Sequence, residues 1–299
     1  MMPPTRQKPE AARAGAGSSG EDQAANSGRG DGNEPWQLRM FRRTIKKQQK
    51  VKEIGKLLGD LGRQACLLVT CGDNNGAMNW KFKQMGGRWS WADAEGTGIQ
   101  QITELTGDAV AWLDPEKPTL PYADGAFDTV VAIDVHEHLE QPAEFNRELA
   151  RVTTSGGRVI VSTPNGDERK LGVRIKNQLG MSPTVYGHFV VGYDVPELEA
   201  QLQAVGVTPY AAASYSRFFS EMLELGINFA YVKLLRGDRA GADHKPGIAP
   251  QTQEQLRSVG GTYRLYSWIY PLFWAISRLD ALIPFGRGYA VIVAGRKIS

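Results

Sequence analysis

With 299 residues, 41% of them hydrophobic, and a net charge of +3, the chain can bury a sizeable core as one large domain or two small ones. That composition excludes a wholly disordered chain, and two cysteines exclude a disulfide-stapled scaffold. The charge is unevenly spread: residues 36–63 hold nine Lys and Arg against Glu53 and Asp60.

Residues 1–35 carry Gly, Ala, Ser, Pro and charge with almost no large apolar side chain before Trp36. Such a segment cannot offset its ordering entropy and reads as a disordered tail. It holds no apolar stretch of signal-peptide length, so a cytoplasmic setting is expected. Residues 36–63 place Phe41, Ile45, Ile54, Leu57, Leu58 and Leu61 among the basic residues and predict a basic amphipathic helix. Two readings stay open: a surface for anionic lipid at the inner face of a membrane, or a solvated helix packed beside the core.

The core begins with an apolar run at 65–70, a strand candidate. A polar, Gly-containing turn follows, Cys71-Gly72-Asp73-Asn74-Asn75-Gly76. A helix is expected over 76–85, then a strand over 88–92 that ends in acid at Asp93 and Glu95. Strand, Gly turn, helix, strand and acid is a nucleoside-binding layout, since glycine lets the backbone approach a ligand and the acid accepts ribose hydroxyls. Further strands are predicted at 109–113, 128–133, 157–162, about 205–215 and 288–294. Helices are predicted at 97–106, 142–153 and 194–204. This alternation predicts an α/β fold with a mostly parallel sheet covered on both faces.

The last two strands are separated by a long insertion, 218–285, rich in aromatics toward its end. Pro271, Arg278 and Asp280 interrupt its apolar run, so it does not read as a spanning helix. It reads as a helical cap over an apolar substrate or as an element of a bilayer interface, with ordinary packing against the sheet edge as the alternative. The domain plan is thus a tail (1–35), a basic helix (36–63), a core (64–217 and 286–299) and a cap (218–285).

Four pieces in order carry a family resemblance: Leu120-Pro121, Asp124-Gly125 and Phe127-Asp128; Glu137-His138; Gly156-Gly157 with Thr163-Pro164-Asn165; and Gly187-His188-Phe189 with Tyr193 and Glu197-Leu198. Together they resemble the class I S-adenosylmethionine-dependent methyltransferases, in the branch acting on small molecules and lipids. The resemblance covers about residues 64–215 and the final strand. It implies a Rossmann-like sheet of seven strands and S-adenosyl-L-methionine as cofactor. It implies cofactor contacts from Cys71, Gly72, Asp73, Asn75 and Gly76 in the turn, and from Asp93 or the competing Glu95 at the ribose. Asp114 is expected near the adenine, and Asp134 beside the transferred methyl. The chain departs from the family at Leu68 and Thr70, where an acid and the first glycine are usual.

His138 is a candidate general base with Asp134, because neutral imidazole accepts a proton near pH 7. The alternative is a helix-capping histidine. Cys66 and Cys71 lie too close for a structural disulfide and fit a reducing compartment. No Cys/His cluster has zinc spacing, and the four histidines form no metal pattern, so no metal site is expected.

The expected function is methyl transfer to oxygen or carbon of a small or lipid-linked acceptor. The alternative is a non-catalytic binding or scaffold protein that keeps the fold. A nicotinamide enzyme would need Gly-x-Gly-x-x-Gly, and this turn offers only Gly72 and Gly76. Nucleic acid is not the expected partner, since aromatics do not interleave with the basic segment.

Overall fold

The computed structural model describes residues 34–72, 74–167, 169–170, 173–175, 188–229, 252–258, 260–283 and 287–298. The expected tail lies outside these residues up to position 33. Seven strands are present: β1 (Ala65–Thr70), β2 (Arg88–Asp93), β3 (Val110–Trp112), β4 (Phe127–Ile133), β5 (Thr153–Pro164), β6 (Val207–Tyr215) and β7 (Ala290–Lys297). They form one sheet in the order β3-β2-β1-β4-β5-β7-β6, parallel except for β7, which is antiparallel to both neighbours.

Alternation along the strands assigns the two faces. Leu67, Val69, Val130, Ala132, Val159 and Val161 meet helices α5 (Pro142–Val152) and α6 (Val195–Gln203). The intervening Cys66, Leu68, Val131, Ile133 and Ile160 face the helices α1 (Trp36–Phe41), α2 (Ile45–Leu58), α3 (Ala77–Lys83) and α4 (Gly96–Thr106). Both cysteines are buried and neither forms a disulfide.

The basic segment is two helices rather than one. Thr44 breaks them in extended conformation, its hydroxyl donating to the Met40 carbonyl at 3.0 Å. The helix α2 packs on the sheet through Val51, Ile54 and Leu58, which is the packed reading of the two held open from sequence. Lys46 and Lys50 precede Ile54 and Leu58 at spacing of four and share their stripe, so they point inward.

The insertion after β6 is helical in its described parts: α7 (Phe218–Phe229), α8 (Gln253–Ser258), α9 (Gly260–Ser277) and a 3-10 segment Arg278–Leu282. Pro271 sits inside α9 without ending it. The Asp280 carboxylate accepts the backbone N–H of Arg217 at 3.1 Å and of Phe219 at 2.7 Å, satisfying the otherwise unpaired start of α7. Tyr263 and Tyr266 donate to the carbonyls of Arg39 and Arg43, and Gln48 donates to Tyr270 at 2.9 Å. The tyrosine face of α9 is thereby tied to α1 and α2. Among the described residues no helix is long and apolar enough to cross a membrane.

Candidate active site at the carboxyl edge of the sheet

The strand register puts Asp93, Thr70, Ile133 and Ser162 side by side at one level. The next residues, Ala94, Cys71, Asp134 and Thr163, therefore form the carboxyl edge, where open α/β sheets bind ligands.

At β1 the turn is built on polar side chains. Thr70 donates to Asp93 at 2.5 Å and accepts from Asn74 at 2.9 Å. Asn74 also donates to Asn79 at 3.0 Å, and its oxygen accepts the N–H of Gly76 at 3.0 Å. Asn75 accepts the N–H of Ala77 at 3.2 Å and so opens α3. Thr70, one of the two residues that depart from the family pattern, thus closes a hydrogen-bonded turn with Asp93 and Asn74. Gly76 has φ +84°, and a Cβ there would stand 2.8 Å from the Gln101 carbonyl, so glycine is required. Asp73 lies outside the described residues.

The two acids after β2 separate. Asp93 is fully buried: one oxygen takes the Thr70 hydroxyl, the other the Glu95 N–H at 2.8 Å, and a Cβ on Gly98 would collide with the carboxylate at 2.7 Å. Burial raises its pKa to about 7, against the lowering effect of Thr70 and the Glu95 N–H. The Glu95 carboxylate instead lies over Gly72, 3.5 Å from where a Cβ would stand, with Gly72 at φ +67°. Asp114 is exposed beyond β3 and accepts the Glu116 N–H at 3.0 Å.

At β4, Asp134 takes the left-handed conformation at φ 51° and pairs with Lys50. Burial works against the Lys50 charge, but Asp134 outweighs it and holds the ammonium above its ordinary pKa. Lys46 is held up in the same way by Glu221 and Glu224 after the same opposing burial. Tyr215, 3.4 Å from the Ser162 hydroxyl, is pushed up to about 12 by burial. Lys50 was absent from the sequence-derived site, although its place on the Ile54–Leu58 stripe was a legible signal.

A 3-10 turn, His136–His138, follows. His136 is buried against Phe145 with Nε2 2.8 Å from the Asn146 oxygen, and burial lowers its pKa to about 4 despite that contact. It is a structural, neutral histidine. His138 stands edge to face with His188, ring centroids 4.4 Å apart, next to buried Glu137. Burial and the charge of Asp134 raise the Glu137 pKa well above the carboxylate range.

Several resemblance-bearing residues turn out to hold the frame. Asp128 accepts the Ala65 N–H at 2.8 Å, and Arg151 clamps Leu120, Tyr122 and Asp124. Asp194 and Glu197 form a reciprocal capping box that starts α6.

The methyltransferase domain family matches residues 68–161. Residues 68–161 thus carry the pattern of a methyltransferase domain. A 42-residue stretch is 48% identical to ajmaline N-methyltransferase of Rauvolfia serpentina, spanning 14% of this chain and 14% of that relative's length. The fold is shared with the [4+2]-cyclase SpnF at TM-score 0.52 and 14% identity, over 87% of this chain and 95% of that one. It is shared with geranyl diphosphate C-methyltransferase of Streptomyces coelicolor A3(2) at TM-score 0.50 and 12% identity, over 84% and 76%. That enzyme was solved with S-adenosyl-L-homocysteine. The residues of the methyltransferase domain fit such a cofactor: the open backbone of Gly72 and the facing Glu95 carboxylate make a cradle that any Cβ at position 72 would narrow.

Proposed function

We propose that the chain binds S-adenosyl-L-methionine at the ends of β1 and β2 and transfers its methyl group to a small-molecule acceptor with an apolar body. The observation that carries this reading is the pairing of Gly72 with Glu95 inside the methyltransferase domain. Glu95 accepts the ribose hydroxyls, and Asp93 positions it from beneath through the Glu95 N–H. Cys71, Gly72, Asn75 and Gly76 bound the methionine part, and Asp114 bounds the adenine. The cofactor supplies an electrophilic methyl on a sulfonium. Asp134, fixed by Lys50, and His138 border the acceptor end, where they help position the acceptor for in-line transfer.

Oxygen, carbon and nitrogen are the acceptor atoms under this reading, nitrogen entering through the N-methyltransferase likeness. A cleft of about 590 Å³ between α2, the end of β6 and α9 is lined in part by Phe41, Tyr215, Tyr270 and Trp274 and supports an apolar acceptor. The outer face of α9 exposes Leu265, Leu272 and Trp268, the last at 81%, which supports a lipid-linked acceptor at an anionic surface. Co-sedimentation with phosphatidylserine vesicles tests that form of the reading: no binding at low salt restricts the acceptor to free small molecules.

Calorimetry with S-adenosylhomocysteine tests the cofactor site. Glu95→Gln is expected to weaken binding by about 10- to 100-fold, the loss of charge-assisted hydrogen bonds. No binding by the wild type overturns the proposal, and an unchanged Glu95→Gln returns the ribose role to Asp93. Since the fold is also that of a cyclase, turnover is read separately, as S-adenosylhomocysteine released in the presence of acceptor mixtures. Tight binding without turnover on any acceptor favours the non-catalytic alternative.

A further inference from the structure

Glu137 and His138 are neighbours on the 3-10 turn, whereas His188 is fifty residues further along the chain. The Phe189 N–H donates to the Glu137 carbonyl at 2.8 Å and fastens the His188 segment over that turn. One ligand atom from each of Glu137, His138 and His188 then lies within 4.8 Å of the other two. Bonds of about 2.0–2.1 Å in tetrahedral geometry need ligand atoms about 3.4 Å apart. Small side-chain rotations close that difference, and the two rings already meet edge to face at 80°.

A second observation points to a ligand. Glu137 is 1% exposed, and its Oε2 has no hydrogen-bond partner among the described residues. A buried carboxylate oxygen without a partner is costly, and native structures give such atoms a partner. Asp134 next to it is already matched by Lys50.

We propose that Glu137, His138 and His188 bind one divalent transition-metal ion of the Zn²⁺ class. Two imidazole nitrogens and one carboxylate suit borderline ions, whereas Mg²⁺ and Ca²⁺ favour all-oxygen shells. Three protein ligands leave a coordination position for water or an acceptor oxygen, as catalytic zinc sites do. The ion sits three residues past Asp134, at the edge of the sheet where the methyl acceptor is expected. The site stands on these residues alone and does not rest on the cofactor reading.

The test uses the full chain stripped with chelator and titrated with ZnCl₂ by calorimetry, with CoCl₂ as a spectroscopic probe. One ion per chain is expected, with visible Co²⁺ bands of a four- or five-coordinate site and no heat from MgCl₂. His188→Gln and Glu137→Gln should each weaken Zn²⁺ at least tenfold while the melting temperature of the metal-free protein and its S-adenosylhomocysteine binding are retained. His188 is half-buried, so its variant keeps the test valid if the buried Glu137 variant fails to fold. No Zn²⁺ binding by the wild type, binding unchanged in His188→Gln, or preference for Mg²⁺ overturns the proposal.

Discussion

Asp93 and His136 are two buried groups whose protonation opposes each other across the acid range. Asp93 is raised from 3.8 to about 7, so between those values the folded protein keeps a proton that the unfolded chain has released. Stability from this group falls as pH rises through that window. His136 is lowered from 6.5 to about 4, so the unfolded chain binds the proton first and stability falls as pH drops through that window. Asp93→Asn removes only the first effect. Its unfolding free energy should gain on the wild type between pH 4 and pH 8, by an amount on the order of 4 kcal/mol at most. A difference that does not change with pH would show that the Asp93 carboxyl stays ionised. At this scale the sequence named two acids, Asp93 and Glu95, and left their order open. Burial of Asp93 and the opening over Gly72 come from the strand ending at position 93 and α4 starting at 96.

Two elements at the carboxyl edge are held by charge from a third. The helix α2 sends Lys50 to Asp134 and Lys46 to Glu221 and Glu224 on α7. Lys50→Met leaves Asp134 without its counter-charge and should cost about 3 kcal/mol by denaturant titration, with the double variant Lys50→Met/Asp134→Asn recovering part of it. Additive losses would mean that the pair is not coupled. The helix α9 divides by face. Trp268→Ala, on the exposed side, should change stability by no more than about 0.5 kcal/mol, whereas Tyr266→Phe, which removes the bond to Arg43, should cost about 1 kcal/mol. A destabilised Trp268 variant would place that face inside the folded structure and remove it from any contact with acceptor or lipid. The insertion was legible as helical and aromatic. Its tyrosine stripe was not legible as a contact with α1 and α2, because that contact joins segments over two hundred residues apart.

Across the whole molecule, α1 is the first element among the described residues. Trp36, Leu38, Met40 and Phe41 are buried, so a chain starting at Glu34 should match the full chain in melting temperature and cofactor affinity. Starting at Thr44 removes those side chains, each worth about 1.5–3 kcal/mol, and should lower the melting temperature by at least about 10 °C. Equal stability of the two truncated forms would show that α1 is not part of the core.

The sequence by itself determined the α/β class, the seven strands and the polar turn after β1, since these follow from local periodicity, glycine placement and strand length. It also placed the acids at the ends of β2 and β4, because strand ends are set by the same local pattern. Only the tertiary structure decided that Lys50 faces Asp134, that Glu95 rather than Asp93 lies over Gly72, and that His188 stands beside Glu137 and His138. Those relations depend on which faces meet across the sheet and on one backbone hydrogen bond between distant segments, and spacing along the chain carries no measure of either.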